Sequence, residues 1–290
     1  MQYVGYLLIL LYSALNLCES IIVKRCANKH GNGGMIFNSI ICLFALCFFL
    51  ITDEGGFYIP SGMPIYAVLN SIFYASGFYL TFIAYRIGPF GLTKLISTFS
   101  LLFPILYGIL FLEEQPGVTT YIGLVMILSA VFIINYKKSS ETDRSGISAK
   151  WLVCVLVSVI SNGCISIMTR AQQIKFDNSC SNEFSVFSLA GAFLILLIIG
   201  VITDRGRLGG ILKHGMLYGA AAGIANGAKN FVTLFIYLYL PLSTVSPIKT
   251  GLGILITFLT SLLYYKEKYS RRQLIGVVIG TVAVVMLAIK

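Results

Sequence analysis

"ITDEGG" occupies residues 51–56, and "ITDRGR" occupies residues 202–207. Each segment follows a long apolar run and opens a polar loop. Their charge differs in sign, because the first copy carries Glu54 and the second carries Arg205 and Arg207. A loop that is repeated with the opposite charge indicates two copies of one unit, and it indicates that the copies place this loop in different surroundings.

The composition is that of a protein embedded in a lipid bilayer. Hydrophobic residues make up 57% of the chain and charged residues 11%, with a mean hydropathy of +0.88. A soluble domain has about 25% charged residues. The net charge of +10 comes from basic residues that stand singly or in pairs between apolar runs. They do not form the clustered basic face of a nucleic-acid-binding protein, so we predict a polytopic membrane protein that binds no nucleic acid.

The cysteines and histidines do not predict a metal site or a disulfide framework. The chain has seven cysteines, an odd number, and none of them forms a C-x-x-C pair. Most lie inside apolar runs, where a free cysteine acts as a small packing residue. We therefore expect no metal and no cofactor.

The apolar runs are long enough to cross a bilayer, which requires about 20 residues per helix. They predict ten spanning helices, over residues 3–23, 34–52, 63–85, 90–112, 118–136, 151–169, 183–203, 214–240, 242–264 and 272–289. The first run is not preceded by a basic segment or followed by a small-residue cleavage site. It is therefore predicted to be a retained helix rather than a signal peptide.

The polar, serine-rich segment near residues 136–150 predicts a linker between two halves. We expect a first five-helix repeat over residues 1–136, the linker over 137–150, and a second five-helix repeat over 151–290. Similar residues recur at matching positions of the halves. The matched sets are Asn16, Cys18, Ser20 and Lys24 with Asn162, Cys164, Ser166 and Arg170; Phe78, Phe82 and Ile83 with Phe231, Phe235 and Ile236; and Glu114 and Gly123 with Glu267 and Gly276.

Because five is an odd number, the second repeat enters the membrane from the opposite side to the first. Basic residues favour cytoplasmic loops, so equivalent loops of inverted repeats should differ in charge. The "TDEGG" and "EEQPG" loops contain no Lys or Arg, whereas their counterparts carry Arg205, Arg207, Lys213, Lys266, Lys268, Arg271 and Arg272. The sequence therefore predicts an all-α integral membrane protein with ten transmembrane helices in two inverted five-helix repeats.

The same charge bias predicts the orientation of the chain. Placing the basic loops in the cytoplasm leaves both termini extracytoplasmic, in a protein of the cell membrane. Arg170 and Lys175 do not follow this bias.

In both halves, a glutamate closes the fourth helix ahead of a glycine-bearing span. The segments are "FLEEQPGVTTYIGLVMILSAVFIIN" at residues 111–135 and "YYKEKYSRRQLIGVVIGTVAVVMLA" at residues 264–288. Together with the ten spans, this pattern resembles the drug/metabolite transporter superfamily, EamA-like branch, over essentially the whole chain. The resemblance implies a central cavity lined by helices one to four and six to nine, with helices five and ten outside it.

The tenth helix carries a stripe of small residues, Gly276, Gly280 and Ala283. Such small-xxx-small spacing is typical of close helix packing in membranes. It predicts either a scaffold contact or a homodimer formed through this helix.

The eighth helix carries a polar face, because Asn226, Lys229, Asn230 and Thr233 are spaced at i, i+3, i+4 and i+7. Lys229 lies near the middle of the span, where a lysine costs about 2.5–3.5 kcal/mol on the insertion scale. An intramembrane charge of this kind predicts a functional site. The alternative is a structural ion pair, for which Glu19 of the first helix is the candidate partner.

Other helices also carry polar faces, which lipid cannot satisfy and which we therefore expect to converge on an aqueous cavity. The ninth helix has Lys249 beside a stripe of Ser243, Ser246, Thr250, Gly253, Thr257, Thr260 and Tyr264. The fourth has Thr93, Lys94, Ser97 and Ser100, and Pro104 is predicted to kink it. The first, third and sixth have Ser13, Asn16, Glu19 and Ser20; Asn70, Tyr74 and Thr81; and Ser158, Asn162 and Ser166.

These features predict a secondary transporter that works by alternating access. No Walker-type motif occurs, and no helix presents a nucleophile with a histidine or a metal cluster, so neither ATP-driven transport within this chain nor an intramembrane enzyme is expected. More lysines than acids predict an anion or zwitterion, such as an amino acid. The candidate substrate-binding residues are Lys229, Asn226, Asn230, Lys249, Thr250, Lys94, Asn16, Asn162 and Tyr74.

Two questions stay open at this stage. Lysines early in the fourth and ninth helices are similar to those that bind anions in the phosphate-sugar and nucleotide-sugar branches, but Lys94 and Lys249 are not symmetric, and Lys94 is equally compatible with a position at the membrane surface. Glu19 is the candidate proton-coupling group. In the alternative function, a proton-coupled multidrug or cation exporter, Glu19 would instead be the counter-ion of the drug.

Overall fold

The computed structural model describes residues 2–30, 34–52, 56, 58–88, 93, 96–115, 117–135, 148–203, 208–263 and 271–288. Within these residues the regular structure is helical, and no strand occurs. The helices are α1 (Gln2–His30), α2 (Gly34–Ile51), α3 (Met63–Ile87), α4 (Leu102–Phe111), α5 (Val118–Asn135), α6 (Ala149–Lys175), α7 (Ser181–Thr203), α8 (Leu208–Tyr239), α9 (Leu242–Leu263) and α10 (Arg271–Ala288).

The helices agree with the predicted spans in order and, for most of them, in length. α1, α6 and α8 extend beyond the predicted apolar segments. Their helical hydrogen bonds continue into polar residues, which a search for apolar runs does not include. Among the described residues, five helices are long and apolar enough to cross a membrane: Tyr3–Cys26, Gly34–Ile51, Met63–Ile87, Ala149–Lys175 and Ser181–Thr203.

The fourth helix differs most from its prediction. α4 begins at Leu102 after a 3-10 turn at Thr98–Leu101, and the described residues before that turn, Thr93, Ile96 and Ser97, are helical as well. Pro104 has no N–H to donate to the carbonyl of Ser100, and its ring crowds that carbonyl, so the distortion predicted at Pro104 is present as this turn. Lys94 lies outside the described residues.

Glu113 and Glu114, which belong to the segment that supports the family resemblance, follow the end of the fourth helix. The N–H of Glu114 donates to the Gly108 carbonyl over 3.1 Å, and Glu113 has a φ of 51°. A residue with positive φ thus ends the helix and turns the next N–H back onto a carbonyl of the last helical turns. The matching residue of the second half, Glu267, lies outside the described residues.

The helix contacts have the symmetry of a repeat. α1 packs on α8, and α6, the counterpart of α1, packs on α3, the counterpart of α8. In the same way α2 packs on α8 and α7 packs on α3, while the pairs α2–α7, α4–α9 and α5–α10 each join a helix to its own counterpart. Exchanging the first five helices with the last five therefore reproduces these contacts, whereas α9 packs on α10 without a matching contact of α4 with α5 among the described residues.

The small-residue stripe of α10 is used inside the chain. A Cβ added to Gly280 would lie 3.7 Å from the Cβ of Ala130 on α5. Ala130 and Ala283 are fully buried, and Gly276 is buried as well. The stripe thus forms the scaffold contact, and the homodimer stays a prediction for which another surface would be needed.

A row of glycines brings α8 close to α2. A Cβ added to Gly223 would lie 2.6 Å from the Ile41 carbonyl oxygen and 2.6 Å from the Phe44 Cβ. Gly219 and Gly227 make equally tight approaches to the same face of α2. This contact fixes α8, and with it the adjacent polar face that carries Lys229.

We expect Gly223→Ala to lower the stability of the protein by about 1–3 kcal/mol, because the added methyl group meets backbone that cannot move freely. Gly253→Ala in α9 is the matched control, since nothing lies within 4 Å of its added Cβ. The control should be neutral or stabilising through the higher helix propensity of alanine. Thermal unfolding of both purified variants in detergent measures the difference, and equal melting temperatures would contradict the close approach.

Candidate functional site

A network of charged and amide side chains joins α1 to α8. The Lys229 ammonium forms an ion pair with Oε2 of Glu19. Nδ2 of Asn226 donates to Oε1 of Glu19 over 2.9 Å, and the Lys229 Nζ lies 3.5 Å from Oδ1 of Asn16. The side chains of Lys229 and Glu19 are 14% and 9% exposed. The ion pair named as the alternative for Lys229 is therefore present, and both oxygens of the Glu19 carboxylate have a partner.

The rest of the polar face of α8 extends this network. Nδ2 of Asn230 donates to Oδ1 of Asn226 over 2.9 Å, so the three side chains form a chain of hydrogen bonds that ends on Glu19. The Thr233 hydroxyl donates to the Lys229 carbonyl over 2.9 Å. These bonds hold the asparagine that fixes the Glu19 carboxylate.

Lys249 of α9 has a different environment. Its ammonium lies 3.7 Å from the centre of the Tyr12 ring and 5.8 Å from that of the Tyr237 ring, and it donates to the Thr233 hydroxyl over 3.3 Å. Among the described residues, it forms no ion pair. A desolvated cation–π contact contributes about 2 kcal/mol, whereas a buried ion costs several kcal/mol. The two rings therefore offset only part of the cost of placing this ammonium here.

Helices α2 and α3 bring further polar groups to the same region. Tyr74 and Cys42 are buried and Tyr12 is half-buried, and the charge of Glu19 acts on the hydroxyl or thiol of all three. It also acts on the hydroxyl of Tyr85, which is hydrogen-bonded to Ser20. Glu19 is thus surrounded by hydroxyl, thiol and amide groups from α1, α2, α3 and α8.

Some predicted site residues do not join this cluster. Asn162 lies in the crossing of α6 with α3, where its Nδ2 donates to the Ser158 carbonyl over 2.7 Å. In that crossing Ser76, which matches Lys229, is hydrogen-bonded to Ser161 over 2.9 Å. Ile165 matches Glu19, so the crossing has no matching ion pair among the described residues. The Thr250 side chain and Lys94 lie outside the described part of the protein.

Sequence reasoning missed Tyr12 and Tyr237, although a signal was present. Tyr12 shares a helical face with Asn16 and Glu19, at i, i+4 and i+7, and Tyr237 continues the spacing of Lys229 and Thr233. Aromatic residues in an apolar helix are usually packing residues, and for that reason these two were not added to the polar faces.

Arg170, which does not follow the charge bias, has a structural role at the end of α8. Pro241 has no N–H, which leaves the Tyr237 carbonyl near the end of α8 without its i+4 donor. The Arg170 Nη1 donates to that carbonyl over 3.3 Å, and Gln173 donates to the Leu234 carbonyl over 3.4 Å. A cation also suits the negative end of the α8 dipole. Arg170 thereby fixes Tyr237, which is one of the two rings beside Lys249.

We expect Lys229→Met to destabilise the protein strongly, by about 3–5 kcal/mol, because it leaves the buried Glu19 carboxylate without a counter-charge. The double variant Glu19→Gln with Lys229→Met removes both charges and should recover much of that loss. Lys150→Met, at an exposed lysine of α6, is the control and should be neutral. Melting temperatures of the purified variants test this, and strictly additive effects of the two substitutions would contradict the coupling.

The comparisons with known proteins agree with this architecture. The model of the EamA-like transporter family, a family of transporters rather than enzymes, matches residues 4–136. One solved crystal structure matches with a TM-score of 0.70 at 13% sequence identity, and the match covers 98% of this chain and 95% of that chain. At this identity the match shows the fold alone. No curated protein matches the sequence. Residues 4–136 therefore match the EamA-like transporter family, which is consistent with the drug/metabolite transporter superfamily. Together with the apolar helices, this match supports a multi-pass membrane protein.

Proposed function

We propose that this protein is a secondary transporter that moves a small organic anion or zwitterion by alternating access. The observation that carries the proposal is the charged network of Glu19, Asn226 and Lys229 at the contact of α1 with α8. Charges inside membrane helices are costly and mark solute or ion pathways. The family of the first half supports transport, and the network supplies groups that bind a polar solute.

The position of the network between the halves suits alternating access. α1 belongs to the first half and α8 to the second, so motion of one half against the other changes the contacts of Glu19 and Lys229. We propose that substrate binds among Asn16, Tyr74, Asn226, Asn230 and Lys249. Glu19 is the proposed proton-coupling group, because protonation would remove the charge that holds Lys229.

We also propose that the chain crosses the membrane ten times as two inverted repeats, with both termini outside the cytoplasm of a cell-membrane protein. Two observations support this arrangement. The helix contacts exchange between the halves, and the loops that follow α2 and α7 differ in basic residues. In inverted-repeat transporters the solute site lies at the interface of the repeats near the bilayer midplane.

The alternative cation exporter has a specific requirement. A cationic drug that used Glu19 as its counter-ion would have to displace Lys229 from Oε2, and Lys229 would then be buried without a partner. That exchange costs more than binding an anion to a site that already has a surplus of lysine.

Cysteine labelling tests the inverted topology. Thr52 and Thr203 occupy the same position of the repeated "ITD" segment, at the ends of α2 and α7. In a cysteine-free background, we expect Thr52→Cys and Thr203→Cys to react with an impermeant thiol reagent from opposite sides of the membrane. Labelling of both from the same side would exclude inversion, and labelling of both after permeabilisation is the positive control.

Reconstitution into liposomes tests the transport function. The solute panel contains labelled monocarboxylates, amino acids, sugar phosphates and quaternary amines. We expect the wild type to accumulate an anionic or zwitterionic solute, and the folded double variant Glu19→Gln with Lys229→Met to transport it at least about tenfold more slowly. Lys150→Met should transport normally.

The same assay separates the two candidate functions. A cation exporter would move a quaternary amine, lose this activity with Glu19→Gln and keep it with Lys229→Met. That result, or unchanged transport of every accepted solute by the double variant, would overturn the proposed function.

A further inference from the structure

We propose that Lys249, rather than Lys229, receives the negative group of the substrate, and that the substrate is a small organic acid with a single net negative charge. This inference rests on the proposed transport function and assigns the substrate class of the same site. It follows from which charged side chains of the cluster already have a partner of opposite charge.

A substrate could bind Lys229 only if the ion pair of Lys229 with Glu19 were broken. Its ammonium is paired with Glu19 and lies beside Asn16. An anion that bound Lys229 would have to compete with Glu19, and it would leave a buried carboxylate without a counter-charge. Removing one partner of a buried ion pair is strongly unfavourable.

Lys249 is held in place but is not neutralised. Tyr12 and Tyr237 present their rings to its ammonium, and the Thr233 hydroxyl accepts one hydrogen bond from it. An ammonium has three donors, and in the described part of the chain no carboxylate pairs with this one. An anion that binds here supplies the missing charge and breaks no existing ion pair.

The charge of the cluster sets the charge of the substrate. Glu19 offsets Lys229, and around Tyr237 the charges of Glu114 and Arg170 are opposite. Of the charged side chains that the structure describes in this region, Lys249 is the one left in excess. One negative charge neutralises the site, and a second would be uncompensated.

Zwitterions and cations fit this site less well. Their ammonium group needs a free acceptor, yet Oε1 of Glu19 accepts from Asn226 and Oε2 is paired with Lys229. A second cation would also lie among two lysines. The cluster therefore favours a monocarboxylate over an amino acid, a dicarboxylate or a quaternary amine.

The first test measures binding without transport. Thermal shifts of purified protein in detergent are recorded with sodium salts of pyruvate, lactate and benzoate, and with succinate, alanine, glucose 6-phosphate and tetraethylammonium. We expect a monocarboxylate to raise the melting temperature of the wild type and of the double variant Glu19→Gln with Lys229→Met. Lys249→Met should weaken the apparent affinity at least about tenfold, while Lys249→Arg should keep most of it.

The melting temperature without ligand shows whether Lys249→Met is folded. Because this substitution removes a cation that lacks a counter-charge, the variant should melt no lower than Lys249→Arg. A folded Lys249→Met that still binds the monocarboxylate would overturn the inference and assign Lys249 a purely structural cation–π contact with Tyr12. Stabilisation of the wild type by alanine or tetraethylammonium, but by no monocarboxylate, would also overturn it.

The second test separates this inference from the proposed function. If monocarboxylates bind in a Lys249-dependent way but no solute enters liposomes, the binding site stands and the transport function fails. If the wild type transports an amino acid and Lys249→Met leaves that transport unchanged, the transport function stands and the substrate assignment fails.

Discussion

Lipid cannot form hydrogen bonds, so every polar side chain in these apolar helices must find its partner inside the protein. Glu19 and Lys229 show how strict this constraint is, because each would be unacceptable alone in α1 or α8. They become compatible with the bundle only when the two helices pack so that the charges meet. The choice of α8 as the neighbour of α1 is therefore specified both by the glycine contact of α8 with α2 and by this pair of charges.

The features that the sequence predicted well are those with a single physical solution. An apolar run of fixed length has to be a helix, so the order and most bounds of α1–α10 followed from composition. The ion pair of Lys229 with Glu19 was named only as the alternative to a functional site, on the ground that a buried lysine needs a carboxylate and α1 offers one. The interruption of the fourth helix was harder to predict, since Pro104 marks where the helix is distorted but does not say whether the chain responds with a kink or with a 3-10 turn.

Residues matched by the proposed repeat do not have the same contacts in the structure. Asn16 and Asn162 match in sequence, and the repeat predicts that both line the same cavity. In the structure they occupy two equivalent crossings, α1–α8 and α6–α3, which carry different chemistry: an ion pair in the first and paired serines in the second. Sequence symmetry indicates where a counterpart lies, but the side chains of the opposing helix decide whether it has the same role.

A tyrosine–serine bond recurs in both halves, although only its serines, Ser20 and Ser166, are matched positions, since Tyr85 aligns with Leu238. Tyr85 of α3 is hydrogen-bonded to Ser20 of α1, and Tyr237 of α8 is hydrogen-bonded to Ser166 of α6. Each half thus ties its third helix to its first with a tyrosine–serine pair. Each of these bonds lies within one proposed half, whereas the Glu19–Lys229 pair joins one proposed half to the other.

The turn between α8 and α9 brings Lys249, the proposed binding site for the negative group of the substrate, near the ion pair of Glu19 with Lys229. α8 ends at Tyr239 and α9 begins at Leu242, and the long side chain of Lys249 reaches from α9 back to α8. Thr233 and Lys249 are hydrogen-bonded. Thr233 also donates to the Lys229 carbonyl, which makes a continuous chain of bonds from Lys249 to the ion pair with Glu19. A ligand shifts a conformational equilibrium only when its contacts differ between the two states. An anion on Lys249 meets this condition, because Tyr12 of the first half and Thr233 of the second both contact the ammonium that the anion would neutralise.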